Sequence, residues 1–446
     1  MNGESADHRL LITSPPLHQC GWKIPGVVRR RLHKCAAMKI TLTLAAALSF
    51  ALPATAQEWA RFLGTNGGGS GKAPGIPAEL KTESYAWQTT LPGSGVSSPI
   101  VWGDRIFLTA ELSEGGERAL LCYSLATGKE TWRVADKFDP HGKHKFNSFA
   151  SSTPTADKDR IYLVWSSGGS MRARAFTHEG KPVWEKDLGP YKEEHGSGAS
   201  PVLAGNALIV STDCEGGTGA VAALKPADGS ILWKHESSSA RTPFSTPLTF
   251  EEKPGEWRVV VSSNPKLTCL DAKSGKVVWD MENASSGLRA VGSAAIADGV
   301  IFASIGQGGT GKAGVAVKIT GNKATKAWDG KKAMPYVPTP LALGDHFLFL
   351  GDGGILSSVR ASDGEILWSE RLFQDQAYSS PVCTGDKIIC ISRNGTIATV
   401  QASAKEFKLL GTTALNDPCD STPAISGGRL IIRTAHKLLC IPGVKP

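Results

Sequence analysis

The chain has 446 residues, 49 Lys/Arg against 41 Asp/Glu, and is rich in Gly (50) and Trp (12). Its formal net charge of +8 is concentrated at the start: residues 1–56 hold seven Lys/Arg and two Asp/Glu, a net +5, leaving +3 on residues 57–446. With no basic stripe in that remainder, the charge argues against a nucleic-acid partner.

In chain order, residues 1–37 carry no foldable pattern and read as an upstream extension of a start at Met38. Arg29-Arg30-Arg31-Leu32 resembles a twin-arginine signal, which would make the longer start real. Residues 38–56 read as a secretory signal: Met38-Lys39, an apolar stretch from Ile40 to Leu52, and Ala54-Thr55-Ala56 before Gln57. That apolar stretch is too short to span a bilayer. No cysteine follows the cleavage site, so a lipid anchor lacks its acceptor. The expected location is periplasmic or secreted. Residues 57–83 read as an irregular lead-in, with the Gly- and Asn-rich part from Trp59 to Gly71 lying on the surface.

From residue 84 onward the chain is repetitive. Gly-x-x-x-Trp recurs at Gly128/Trp132, Gly180/Trp184, Gly229/Trp233, Gly275/Trp279 and Gly364/Trp368. A period of roughly 40–50 residues marks a repeat architecture. Within one unit, Ser245-Thr246-Pro247-Leu248, Trp257 to Ser262, Leu267 to Leu270 and Lys276 to Trp279 read as four short strands, with Gly275 in the last turn. Such a sheet cannot bury both faces alone. Radial stacking of four-stranded blades into a β-propeller solves that problem and leaves only short edges.

The units are counted by their openings: Ser97-Ser98-Pro99, Ser152-Thr153-Pro154, Ala199-Ser200-Pro201, Ser245-Thr246-Pro247, Gly292-Ser293-Ala294, Pro338-Thr339-Pro340, Ser379-Ser380-Pro381 and Ser421-Thr422-Pro423. The fold is therefore expected to be all-β, an eight-bladed propeller. The last unit lacks a fourth strand, and the segment Tyr85 to Thr89, carrying Trp87, is predicted to supply it. Trp87, Trp132, Trp184, Trp233, Trp279, Trp328 and Trp368 read as packing groups between blades. Trp328 follows Gly321 at a longer spacing, and the seventh unit has Leu409-Leu410 in place of its Trp.

Seven cysteines follow residue 56. Cys122, Cys269 and Cys440 share one slot in the third strand, filled elsewhere by Ala223 and Ser358, which implies a tight contact there. Equivalent slots in different blades lie too far apart to bridge. Cys383 and Cys390 share a hairpin and would pair only in a favourable register. No Cys-x-x-Cys or haem-attachment motif occurs. Gly306 to Gly311 lacks the Lys-Ser/Thr of a phosphate loop and reads as a hairpin turn, as does Glu215 to Gly219. No Gly-x-Ser-x-Gly elbow is present.

Loops that enter the innermost strands ring one mouth of a propeller channel, and function belongs there. Their candidates are His144, Asn147, Glu193, Glu194, His195, Arg241, Arg289, Tyr336, Asp375, Tyr378, Asp417 and Asp420. Such a ring suits an anionic or polyhydroxylated ligand, or a divalent ion.

Thr127-Gly128-Lys129-Glu130-Thr131-Trp132, Lys273-Ser274-Gly275-Lys276-Val277-Val278-Trp279 and Ser362-Asp363-Gly364-Glu365-Ile366-Leu367-Trp368 resemble the repeat of the pyrroloquinoline-quinone (PQQ)-type propellers. The resemblance spans Trp87 to Ile441. It implies one of two classes: a calcium- and PQQ-dependent dehydrogenase of alcohols or sugars, or a cofactor-free, protein-binding scaffold of the BamB-like kind. The adjacent Cys-Cys pair of many methanol-type quinoproteins is absent, and so is the lipobox cysteine of the scaffold class. The reading favoured is a monomeric scaffold for a protein or carbohydrate-like ligand at the channel mouth. In the dehydrogenase reading Asn147, Glu193 or Glu194, and Asp375 or Asp417 would bind calcium or act as base, with Arg241 or Arg289 on a quinone carboxylate. A hydrolase with two channel carboxylates is a third class.

Overall fold

The computed structural model describes residues 58–443 except 114, 115, 193, 217, 218, 238, 240, 284 and 286. The signal segment, the extension before it, Glu193 and the Gly217-Thr218 turn lie outside the described residues. Eight four-stranded antiparallel sheets follow one another. Blades 1 to 7 span 100–137, 155–190, 202–236, 248–282, 295–330, 341–371 and 382–414, each with its strands in sequence order. Blade 8 takes three strands from 424–442 and its outermost strand from Trp87–Thr90, which pairs with Lys437–Pro442 in the register Trp87↔Cys440. The eight-bladed propeller and its closure by an N-terminal strand are thus present.

The openings owe their composition to a closed ring of hydrogen bonds. The Ser98 amide donates to the Thr153 hydroxyl, Thr153 to Ser200, Ser200 to Thr246, Thr246 to Ser293, Ser293 to Thr339, Thr339 to Ser380, Ser380 to Thr422, and Thr422 back to Ser98, all at 2.9–3.1 Å. Each blade's innermost strand holds the next one through a single hydroxyl. A buried amide left unpaired costs about 1–3 kcal/mol, so the middle residue of each opening is constrained to Ser or Thr.

The tryptophans dock the rims. The Trp87 indole donates to Leu125 O, Trp132 to His178 O, Trp184 to Pro226 O, Trp233 to Ala272 O, Trp328 to Ala361 O and Trp368 to Ala404 O, each acceptor lying in the next blade. Trp87, Trp132, Trp184, Trp233 and Trp328 also cover the left-handed glycine of the neighbouring turn: at Gly128, Gly180, Gly229, Gly275 and Gly364 an added Cβ would come within 2.3–2.8 Å of the ring. Trp279 is buried but meets no such glycine, because the turn at Gly321 is shorter and a Cβ there would meet nothing within 4 Å.

The cysteine slot is explained by the same rings. Cys122, Ala175, Ala223, Cys269, Ala316, Ser358 and Cys440 lie directly opposite the seven tryptophans across the strand pair. In blade 7 the slot facing Thr399 holds Gly411, not Leu410. Lead-in residues Ala78 and Glu79 press on Gly411, and the Leu80 amide donates to Thr413 Oγ1. Leucine is therefore no substitute for Trp here; a different segment docks on this blade. All seven described cysteines are buried and unbridged. Cys383 faces Ile388, not Cys390, so the register forbids that pair. Burial pushes the Cys122 thiol up to about 11 and Cys269, Cys419 and Cys440 to about 12, which keeps them protonated.

The lead-in is not a surface segment. Trp59 is 1% and Leu63 4% exposed, because the chain crosses the channel. Trp59 bridges Val101 of blade 1, Ala60 O accepts from Ala156 N of blade 2, and Gly69 and Gly71 exchange hydrogen bonds with Cys383 of blade 7. Arg61, Phe62 and Leu63 meet Thr246, Pro247 and Ser293 of blades 4 and 5. The end of the channel opposite the mouth is closed.

Two substitutions separate strain from packing. Gly275→Ala is expected to lose roughly 1–2 kcal/mol for its left-handed backbone and about 1–3 kcal/mol more for the clash with Trp233. Gly321→Ala loses the first amount only, and urea unfolding of both variants checks the difference. Thr246→Val leaves the Ser200 amide unpaired and costs about 1–3 kcal/mol, while Thr246→Ser restores most of it.

Candidate functional site

The open end of the channel widens into a cavity of about 760 Å³. Its neck is the hydroxyl ring and its floor is Phe62 of the lead-in. Nine of the twelve candidates line it: His144, Asn147, Glu194, His195, Arg241, Arg289, Tyr336, Tyr378 and Asp420. They come from the loops before blades 2 to 8. Phe146, Phe244, Gln307, Gly308, Gly309 and Gln376, which are not among the twelve, line it too. Gln307 to Gly309 form the hairpin turn between the strands ending at Gly306 and starting at Gly311, as expected.

Asp375 and Asp417 do not line the cavity. Asp375 accepts from the Asn394 amide at 2.8 Å. Asp417 is buried and receives the Thr434 hydroxyl, the His436 amide at 3.1 Å and His436 Nδ1 at 2.7 Å. Both tie one connecting loop to the neighbouring hairpin, work for which a short carboxylate is suited.

Most charges on the wall are already matched. Arg393 grips Asp420 with Nε at 2.8 Å and Nη2 at 3.0 Å while stacking 3.8 Å from the Phe146 centroid and 4.5 Å from that of Tyr378. Arg289, 5% exposed, pairs with Glu215 and stands 3.9 Å from Glu194. It also lies over Phe244, whose ring is stacked with His195 at 6.3 Å. Asn147 is consumed in stapling its loop: Nδ2 donates to His195 O at 2.7 Å, and Oδ1 accepts from Ser148 N and the Ser151 hydroxyl. The His144 and His195 rings are 5.4 Å apart. Burial, then the neighbouring His195 and cations, lowers the His144 pKa and favours its neutral form. Burial raises the Tyr336 and Tyr378 phenols.

The donor set fits a calcium-quinone centre poorly. Asn147 has its amide committed, Asp375 and Asp417 point their carboxylates into hairpins, and Arg289 is paired with Glu215. Among the described residues no three His, Cys, Asp or Glu side chains converge as metal ligands.

Two buried carboxyls near the mouth carry a pH dependence. Asp352 takes the amides of Tyr336 at 2.7 Å and Val337 at 3.1 Å, yet burial pushes it up to about 6. Asp213, on the loop that carries Glu215, is also pushed up to about 6 by burial, with the Ser237 hydroxyl opposing. A carboxyl whose pKa is raised on folding binds its proton more tightly in the native state. Its stabilisation is full below about pH 4 and is lost as pH rises through about 6. Asp213→Asn is expected to gain on the order of 1–3 kcal/mol at pH 7.5 and nothing at pH 4, read from melting curves across that range.

Comparison with known proteins agrees with this architecture. The family described as "Outer membrane protein assembly factor BamB" matches residues 81–246 and 221–441. The BamB of Moranella endobia is 22% identical over 306 residues, 67% of this chain and 70% of its own length. The BamB of Shewanella oneidensis is 28% identical over 212 residues, covering 43% and 50% respectively. Among solved structures, BamB from Moraxella catarrhalis superposes with a TM-score of 0.57 at 15% identity, covering 80% of this chain and 98% of that one. Quinohemoprotein alcohol dehydrogenase from Comamonas testosteroni does so with a TM-score of 0.63 at 12% identity, covering 87% and 81%. At those identities the two superpositions speak to the fold alone, whereas the sequence match spans the repeats end to end, and the chain belongs to the PQQ-like propeller family described as outer membrane protein assembly factor BamB.

Proposed function

We propose that the chain is an exported, non-enzymatic binding scaffold that takes part in outer-membrane protein assembly, with the channel mouth as its working surface. The observation that carries this reading is the state of the wall charges. Arg289 is locked into an ion pair with Glu215, Arg393 into one with Asp420, and Asn147 into its own loop. Groups so committed build a rigid, patterned surface. The names of the two BamB relatives support a protein partner. No helix among the described residues is long and apolar enough to cross a membrane, and the expected signal at residues 38–56 would deliver the chain across one.

A photo-crosslinking amino acid at Gln376, exposed on the mouth, tests the working surface. It is expected to give a discrete adduct with an envelope protein in intact cells. The same group at Lys158, in a turn between the first two strands of blade 2, is expected to give none; equal labelling at both positions would remove the mouth from the proposal. Export has its own check: the N-terminus of protein recovered from the periplasm is expected to be Gln57.

A further inference from the structure

We infer that the mouth cavity is a receptor for a small acidic sugar, with Arg241 as the carboxylate anchor. This rests on the reading of the mouth as a binding surface and names what the cavity itself takes.

The charge of Arg289 is opposed by Glu215 and that of Arg393 by Asp420, although Arg289 Nε has no hydrogen-bond partner among the described residues; Glu194, 3.9 Å from Arg289, stays largely exposed. Arg241 remains. Its guanidinium has no hydrogen bond or ion pair among the described residues, and it lines the cavity half-buried. Arg241, Arg289, Tyr336 and Tyr378 line the same cavity, where the charges of Arg289, Asp352 and Arg241 all act on the Tyr336 phenol. These side chains therefore form one wall, from blade 4 round to blade 7. The Gln307 and Gln376 amides and the Tyr336 and Tyr378 hydroxyls have no partner on their polar ends among the described residues. The Gln376 amide and the Tyr378 hydroxyl approach Gly309, where an added Cβ would lie 3.6 and 3.9 Å from them.

One uncompensated guanidinium asks for one anion, and its planar fork matches a carboxylate. Amides and phenols both donate and accept, which is what hydroxyl groups require of a site. A ligand that brings a carboxylate and several hydroxyls together satisfies both at once. A cavity of about 760 Å³ holds a molecule of one to a few sugar rings.

Isothermal titration of the exported protein with D-glucuronate, D-glucose and acetate in parallel tests this. Glucuronate is expected to bind saturably and about tenfold or more tighter than glucose, the worth of one charge-assisted contact, with an affinity that falls as salt rises. Arg241→Met is expected to erase the preference for glucuronate over glucose while leaving the melting temperature unchanged. Gln376→Leu is expected to weaken both sugars about equally. Equal binding of glucuronate and glucose, acetate binding as well as glucuronate, or no binding of glucuronate at millimolar concentration would each overturn the inference. So would an Arg241→Met variant that binds glucuronate like the parent protein. The Gln376 crosslink is read on a protein adduct and does not depend on any sugar, so the two readings fail separately.

Discussion

Everything in this molecule hangs on a ring of eight hydroxyls at the waist of the channel. Each Ser or Thr side chain receives the amide of the preceding blade's innermost strand, and the eighth bond returns to the first. A bond of this kind contributes only about 1 kcal/mol net, but its loss strands a buried donor. The ring is therefore less a source of energy than a constraint on registry. It sets the innermost strands at one height, so the loops leading into them emerge around one rim and their side chains meet over one cavity.

The outer rim uses a different device for the same end. An indole reaches from one blade into the turn of the next, donating its N–H to a carbonyl and, in five cases, capping a left-handed glycine. The strand opposite must be small at that point, which is why Cys, Ala and Ser alternate there. In blades 1 to 7 the strand pairing shifts directly after that residue. The bulge bends the outer strand, an ordinary way of adding local twist. Polar bonding at the centre and aromatic packing at the edge fix each blade at two radii.

The parts legible in the sequence are those that repeat. Eight openings and seven tryptophans, each tied to a fixed slot, made the blade count, the closing strand and the face of the candidate loops readable. What happens once was hidden. The lead-in has no repeat to betray it, and its Gly-rich composition looks like solvent-exposed loop, although the glycines at 69 and 71 are there so that backbone can lie against Pro381 and Ile425. Within the loops, polarity marked a neighbourhood and not a direction. Asp420 and Asp417 are three residues apart, yet one meets the Arg393 guanidinium at the cavity and the other is buried against Thr434 and His436. Phe146 and Phe244 were invisible because a single aromatic in a polar loop carries no period. Arg393 was missed for a related reason: it lies in a hairpin turn, away from the loops that open each blade.

The closed far end changes what kind of object the propeller is. With the lead-in laid across the channel and Phe62 at its base, the hole through the disk becomes a cup. A cup has one door, so a ligand leaves by the path it entered. A partner seated over the rim would govern that door. Contents would be trapped while the partner stays, and a filled cup would present a different rim to the next arrival. Two binding events that touch no common atom would then be ordered in time by the shape of the vessel alone.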